Sequence, residues 1–254
     1  MKRVKKRIFS GAVCEQIVYN IGDRADPKTA KPVLRFKDEH ERADHRRGIA
    51  LRRFTRKVNA NFTPAGYFCT LTLDRRSECH SYDEARIIRR NYARRLLYKC
   101  PEAKIIIVMG RGHSTSRIHF HMLVEGEGIT PELVSSAWKG GEVTRIEHLR
   151  AHNKVDGEDM GADFSAVARY CFEHWTEEQG GHYSYQSRNI AQPEEEEPTE
   201  CRREYSPEKP PITPKGFKPV SCTWNRYGYM IFKYVRIPER EKRRRKAADD
   251  SPRI

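Results

Sequence analysis

Alternating apolar and polar positions in the middle of the chain predict the strands of a sheet. Residues 66–74, GYFCTLTLD, alternate in this way and are rich in aromatic and β-branched side chains. Residues 104–110, KIIIVMG, are almost continuously apolar, which is typical of a buried strand. After the turn sequence RGHSTS, residues 117–126, RIHFHMLVEG, predict a strand that returns beside the buried one, and residues 141–149 predict another.

Residue periodicity and helix-start signals predict four helices. They are expected at residues 38–60, at residues 81–100, from Pro131 to about Trp138, and at residues 163–175. The apolar side of the second helix is expected to consist of Ala85, Ile88, Tyr92, Leu96 and Tyr98. Asp163 is the expected N-cap of the fourth helix. Helices in this order with strands that can pair in hairpins predict an α+β fold.

Composition divides the chain into five regions: a basic N-terminal segment that packs on the core, the core, a proline-rich acidic linker or arm, a C-terminal hairpin and a charged, disordered tail. Their expected bounds are residues 1–60, 61–190, 191–219, 220–238 and 239–254. The third region stands apart because it holds half of the 14 prolines and an acidic run from Glu194 to Glu197. The hairpin is expected to turn near Tyr227 and Gly228.

The charge of the chain points to a polyanionic partner. Lys and Arg number 49 against 35 Asp and Glu, so the formal net charge is +14, and nucleic acid is the first partner to consider. Arg52, Arg53 and Arg56 crowd the first predicted helix. Two interpretations of them stay open, a solvated helix face or a surface that follows a phosphate backbone. Arg117 is a further candidate for DNA binding.

Cysteine usage and hydropathy predict a cytoplasmic protein that has no membrane partner. The seven cysteines are scattered and form no C-x-x-C pair, which favours reduced thiols over a disulfide scaffold or a zinc finger. The N-terminus has no uninterrupted apolar segment of the kind found in secretory signals. The longest strongly apolar run, residues 105–109, is far too short to span a bilayer.

Two histidines are the first candidates for chemistry. Successive side chains of a strand point to opposite faces, so His119 and His121 should share one face while Phe120 enters the core. Two imidazoles at this spacing can bind one metal ion. The motif is weak when taken alone, but here it follows a predicted hairpin in a strongly basic chain.

Three segments in order, TLTLD at 70–74, RIHFHM at 117–122 and RYCFEHW at 169–175, resemble the ordered motifs of HUH endonucleases. More narrowly, the chain resembles the rolling-circle replication-associated proteins of phages and bacterial mobile elements. The resemblance implies an HUH/RRM-like antiparallel sheet with the histidine strand at its centre and helices packed on it. It also implies that His119 and His121 hold Mg²⁺ or Mn²⁺ and that Tyr170 is the nucleophile.

The reaction implied by this resemblance is transesterification on single-stranded origin DNA. The tyrosine becomes linked to a 5′ phosphate, and a 3′ hydroxyl is released to prime synthesis. A host replication helicase or polymerase is a further partner that the resemblance allows. The strand break conserves bond energy, so the ends can be rejoined later.

The sequence leaves the third metal ligand open. Family members usually supply a polar side chain from the preceding strand, but a hairpin that turns near residues 113 and 114 would place Met109 opposite His119. Methionine is a poor ligand for a hard cation. Glu125 shares the histidine face at about 13 Å along the strand from His121, which is too far. His113 and a water molecule are the remaining candidates.

Helical periodicity keeps Tyr170 out of the predicted core, which leaves two interpretations open, an ordinary surface tyrosine or the nucleophile that the resemblance implies. At about 100° per residue Tyr170 lies well off the apolar stripe of the fourth predicted helix. Tyr183 and Tyr185, in a stretch with weak structural signals, are competing candidates. Relatives often have a lysine three residues after the tyrosine, where this chain has Glu173, so Arg169 or another basic group would have to contact the phosphate.

Two other classes of protein share some of these features. Cupin-type metal oxygenases carry a similar pattern, matched by Gly112, His119, His121 and Glu125, but a jelly roll does not fit the predicted helices. A non-catalytic single-stranded nucleic-acid-binding protein would use the aromatic and basic side chains of the C-terminal hairpin to stack bases and hold phosphates. That alternative explains the charge but gives the two histidines no role.

Overall fold

A computed structural model of the chain describes residues 1–74, 81–111, 118–155, 157–174, 184–225 and 228–237. The helices are α1 (Glu39–Asn61), α2 (Tyr82–Lys99), α3 (Pro131–Ala137) and α4 (Ser165–Glu173). The first seven strands are β1 (Lys2–Ser10), β2 (Val13–Ile21), β3 (Tyr67–Thr72), β4 (Lys104–Arg111), β5 (Ile118–Glu125), β6 (Val143–His148) and β7 (Lys154–Val155). The remaining strands are β8 (Glu158–Asp159), β9 (Ser184–Gln186), β10 (Glu194–Glu195), β11 (Thr199–Glu200), β12 (Phe217–Trp224) and β13 (Met230–Arg236).

The chain forms two compact units, and the described strands that pair do so antiparallel, so the α+β class is confirmed. The terminal unit comprises residues 1–48, 152–163 and 193–254. The histidine unit comprises residues 49–151 and 164–192. The predicted helices and the strands predicted at 66–74, 104–110, 117–126 and 141–149 are all present, with ends within a few residues of those expected.

The terminal unit is built on a sheet in the order β10-β1-β2-β13-β12, with β11 also paired to β1. The predicted C-terminal hairpin is present as β12 and β13, and β13 pairs with β2, a strand that the apolar pattern did not reveal. The acidic segment contributes β10 and β11 to the edge of basic β1, where Lys6 Nζ lies 2.6 Å from the Glu195 carboxylate. The tail from residue 238 onward lies outside the described residues.

The histidine unit is built on a five-stranded sheet in the order β6-β3-β5-β4-β9, so the histidine strand β5 is the middle strand. One face of this sheet forms the main core of the unit with α2 and α3. Phe120 of β5 is fully buried there and lies 5.6 Å, between ring centroids, from Trp138. Tyr92 of α2 contacts the same indole at 5.1 Å, so one tryptophan links the sheet to a helix.

Helix α4 is attached to α1 by one aromatic contact and one capping bond. The rings of Phe54 in α1 and Phe172 in α4 lie 6.3 Å apart, and the Asn59 side-chain oxygen accepts the backbone N–H of Phe164 at 2.8 Å. The prediction that Asp163 caps α4 is wrong, because Phe164 occupies the N-cap position with no side-chain cap bond. The Asp163 carboxylate pairs with Lys233 at 2.5 Å, which is a charge-assisted bond to a side chain of β13.

One apolar assignment on α2 is also wrong. Ala85, Tyr92 and Leu96 are buried, and Ile88 packs against the core, but Tyr98 is 83% exposed. Tyr98 stands two residues after Leu96, which corresponds to about 200° of rotation on a helix, so it faces away from the sheet.

No helix in the described part of the chain is long and apolar enough to cross a membrane. The cysteines at 14, 69, 100, 171, 201 and 222 are free thiols.

The packing of β5 predicts a large difference between two aromatic substitutions in the histidine unit. Phe120→Ala removes a fully buried ring and should lower the free energy of unfolding by about 3 to 5 kcal/mol. Tyr98→Ala, at a side chain that is 83% exposed, should change it by less than about 0.5 kcal/mol. Urea denaturation of both variants measures these changes, and equal losses would contradict the assignment of the core.

Candidate metal centre

The two predicted histidines share one face of the sheet, as the strand period requires. In the β5 register, His119 stands opposite Gly110 and Thr72, and His121 stands opposite Val108 and Thr70. The Nε2 atoms of His119 and His121 lie 3.1 Å apart. Two nitrogen ligands of one ion at metal–nitrogen distances of about 2.0–2.1 Å are separated by about 3.0 to 3.4 Å, so this spacing fits a shared metal.

A third histidine completes the cluster from α4. The His174 ring lies 4.5 Å from that of His121 and 5.2 Å from that of His119, measured between centroids. One nitrogen from each of the three residues can be chosen so that all three lie within 4.8 Å of one another. His119, His121 and His174 can therefore hold a metal ion with three neutral imidazoles, which leaves room for further ligands.

His174 was not identified as a ligand from the sequence. Of the candidates considered there, His113 lies outside the described residues. Met109 does not stand opposite His119, because the observed register pairs it with Phe120 on the core face. The Glu125 carboxylate accepts hydrogen bonds from the backbone N–H and the hydroxyl of Thr63 at the far end of β5. The spacing of Tyr170 and His174, four residues apart and thus on one helical face, was the available signal.

Gly110 allows the three imidazoles to meet. A Cβ atom on this residue would lie 2.8 Å from His119 Nε2 and 3.0 Å from Cγ and Nδ1 of His174. The 2.8 Å distance is shorter than real Cβ contacts and the 3.0 Å distances are tight, so a side chain here would displace one or both imidazoles. The bare backbone of β4 therefore lets α4 approach the sheet closely enough for a joint site.

His121 is held as a neutral imidazole. Its side chain is buried, its Nδ1 lies 3.3 Å from the Thr70 hydroxyl, and the Phe68 ring stacks on it at 5.6 Å. Burial, with smaller contributions from His119, His174 and Arg145, lowers the pKa of His121 to about 3. A neutral imidazole is the form that binds metal, so His121 does not have to lose a proton at pH 7.

The predicted nucleophile lies beside this cluster. The Tyr170 ring is 4.8 Å from that of His121 and 4.9 Å from that of His174, between centroids, and the side chain is 44% exposed. Tyr185 pairs with Ile107 and packs against the core on the opposite face of the sheet, away from the histidines. Tyr183 lies outside the described residues. Tyr170 is thus the tyrosine that combines solvent access with contact to the cluster among the described candidates.

A cation also lies close to the cluster. Arg145 of β6 pairs with Thr70, and its guanidinium carbon lies 5.8 Å from the centroid of the Phe68 ring. The Glu147 carboxylate holds this guanidinium at 2.7 Å. Arg145 is therefore a candidate on the sheet for the phosphate contact that Glu173 cannot make, in addition to the exposed Arg169 of α4.

The predicted DNA-binding arginines are on α1 or outside the described residues. Arg53 is exposed, whereas Arg52 and Arg56 are partly buried. Phe54, between them in sequence, packs against α4, the helix that carries Tyr170. Arg117 lies outside the described residues.

A methyl group at Gly110 should weaken metal binding. Gly110→Ala places a Cβ in contact with His119 and His174, so we expect Mn²⁺ affinity to fall by about 10-fold to 100-fold, as when the support of a metal ligand is removed. Gly22→Ala is the matched control, because its Cβ would have only one neighbour, at 3.9 Å. Titration calorimetry with Mn²⁺ measures both, and equal affinities would show that the close approach at Gly110 does not matter.

Loss of the third histidine should also weaken metal binding. We expect His174→Ala to reduce Mn²⁺ affinity by at least about tenfold, because one of three imidazoles is removed. His152→Ala, at an exposed histidine paired with Asp159 in the terminal unit, should leave the affinity unchanged. An undiminished affinity in His174→Ala would exclude this side chain as a ligand.

A scan against models of protein families finds no match to this chain, and searches of curated proteins and of solved structures also find none. The chemistry of the three histidines and of Tyr170 therefore has to be inferred from their geometry in this chain.

Proposed function

We propose that the protein is an HUH-type endonuclease that nicks single-stranded origin DNA in rolling-circle replication, with Tyr170 as nucleophile. The observation that carries the proposal is the position of Tyr170, whose half-exposed ring contacts two of the three clustered histidines. The order of the sequence motifs, which resembles that of HUH endonucleases, and the net charge of +14 support the same function.

In the proposed reaction, His119, His121 and His174 would hold a divalent metal, and that ion would supply Lewis-acid polarisation of the scissile phosphate. The Tyr170 hydroxyl loses its proton to water, and its oxygen attacks the phosphorus. A bond forms between the tyrosine oxygen and phosphorus while the bond from phosphorus to the 3′ oxygen breaks. The 3′ oxygen takes a proton from water and leaves as a free hydroxyl, and the 5′ phosphate stays linked to the protein.

Arg145 and Phe68 are proposed to position the DNA. The Arg145 guanidinium lies over the Phe68 ring, and Phe68 lies 6.1 Å from the Tyr170 ring, between centroids. A guanidinium in this place can donate hydrogen bonds to phosphate oxygens, which is the role that Glu173 cannot fill. Its pairing with Glu147 keeps it oriented before DNA arrives.

Of the two ions expected from the resemblance, the ligand set favours Mn²⁺. Mg²⁺ requires oxygen ligands and gives up its water reluctantly, whereas the cluster offers three imidazole nitrogens. Transition-metal ions accept imidazole more readily, and Zn²⁺ matches a three-histidine site in ligand type. Cleavage is therefore expected to be faster with Mn²⁺ than with Mg²⁺ at equal concentration.

A non-catalytic single-stranded nucleic-acid-binding protein is the second candidate. Trp224 at the end of edge strand β12 is 63% exposed, and an exposed indole can stack on a base. This candidate leaves the histidine cluster and Tyr170 without a role. The two functions differ in one product, because only the endonuclease forms a covalent link to the cut strand.

The nucleophile can be tested directly. Tyr170→Phe removes the attacking oxygen and keeps the ring that contacts the histidines, so it should bind Mn²⁺ and DNA normally yet form no adduct with single-stranded origin DNA. Tyr185→Phe, at the tyrosine on the opposite face, is the matched control and should form the adduct at the normal rate. Gel analysis and mass spectrometry of the adduct measure the outcome, and a nucleotide on any other tyrosine would refute the assignment.

The basic helix can be tested through salt dependence. Reversing the charges at Arg52, Arg53 and Arg56 removes cations that would displace counterions from phosphates, so the slope of log affinity against log salt should become shallower. Reversal at Arg42 and Arg46, which pair with Glu39 at the start of α1, provides a comparison. An unchanged slope in the triple variant would show that these arginines form a solvated helix face and do not contact DNA.

A further inference from the structure

A groove lies between α2 and α3, on the face of the sheet opposite the histidines. Its volume is about 550 Å³, and α3 forms one wall with Leu133 and Ala137. The sheet itself separates this groove from the metal cluster, since Phe120 of β5 packs on the helical side while His119 and His121 face the other. Whatever occupies the groove is therefore bound at a second site.

The groove is lined by cations. Arg94, Arg95 and Lys99 of α2 and Lys139 after α3 are among the lining residues, and none of the described residues that line this groove is acidic. An adjoining groove shares Arg95 and Lys139, and Asp74 is the acidic residue among the described residues that line it. A concave surface with four cations suits a ligand that carries several negative charges in a row.

The aromatic ring of Tyr98 lies at the same groove and favours a polyanion that also carries bases. Tyr98 is 83% exposed, and Lys99 Nζ lies 6.0 Å from the centroid of its ring. Tyr98 therefore offers an aromatic face to solvent on a helix of the histidine unit. That face can stack on a base. Cations beside an aromatic ring are typical of sites that bind a single nucleic-acid strand. The cations contact the phosphates, and the ring stacks on an unpaired base.

The groove is also held in shape. Arg95 Nε donates a hydrogen bond to the backbone oxygen of Ala137 at 2.8 Å, and the buried Tyr92 hydroxyl donates one to the Val134 oxygen at 3.2 Å. Both bonds join α2 to α3, so the two walls are fixed before any ligand binds. The planar guanidinium of Arg95 is oriented at the same time, which lowers the entropy cost of binding a phosphate.

We infer that the groove between α2 and α3 is a binding site for a single-stranded segment of nucleic acid, with phosphates on Arg94, Arg95, Lys99 and Lys139 and a base stacked on Tyr98. The site does not depend on strand cleavage. The adjoining groove is lined by Leu73 and Asp74, which directly follow Thr72, the residue opposite His119.

The test is binding of fluorescent oligo(dT) of about 20 nucleotides to the full chain in EDTA, which prevents any metal-dependent reaction. Tyr98→Ala should weaken binding by about fivefold to a hundredfold, and Tyr98→Phe, which keeps the ring, should restore it. Arg94→Gln should weaken binding more than Arg90→Gln, its matched control, because Arg90 is exposed on the same helix but does not line the groove. Photo-crosslinking of a 5-iodouracil-substituted strand should label Tyr98.

Each other outcome overturns a defined part of the inference. Equal effects of Arg94→Gln and Arg90→Gln, or unchanged binding by Tyr98→Ala, would show that the groove is not the site. Equal competition by a duplex of the same length or by an acidic peptide would show that the surface binds polyanions in general and not single strands. Because no cleavage is measured, failure here leaves the proposal for Tyr170 untouched, and failure of Tyr170 leaves this one untouched.

Discussion

The close approach of α4 to the sheet at Gly110 is the contact on which the candidate site depends. His119 and His121 are fixed by the β5 register, but His174 belongs to a helix that is distant in sequence. The imidazole of this helix fits against the strand histidines over a point where β4 presents hydrogen instead of a side chain. The capping bond from Asn59 and the contact between Phe54 and Phe172 hold the helix at that distance.

The same strand serves two purposes because its side chains alternate. Phe120 and its even-numbered neighbours build the core with α2 and α3, whereas the odd-numbered His119 and His121 are held by that core against α4. This arrangement places two of the three candidate metal ligands on the central strand. The third, His174, ends the helix that also carries the solvent-accessible Tyr170.

Local features of the site were predictable from sequence, whereas contacts between distant segments were not. The shared face of His119 and His121 follows from the strand period, and the position of Tyr170 off the apolar stripe follows from the helix period. The third ligand His174 required knowledge of which helix packs on which face, and periodicity carries no such information. Gly110, in place of Met109, stands opposite His119 because register depends on the length of the turn, which the apolar pattern does not fix. The sheet of the terminal unit is a second contact between distant segments that the sequence pattern did not predict, since β2 near the start of the chain pairs with β13 near its end.

The central claim is that three imidazoles bind one metal beside Tyr170, and pulsed EPR of the Mn²⁺-loaded chain tests it most directly. With ¹⁵N-labelled histidine, the account predicts nitrogen couplings from three imidazoles that all disappear together when the metal is chelated. A spectrum with oxygen ligands alone, or with coupling to a single imidazole, would contradict it.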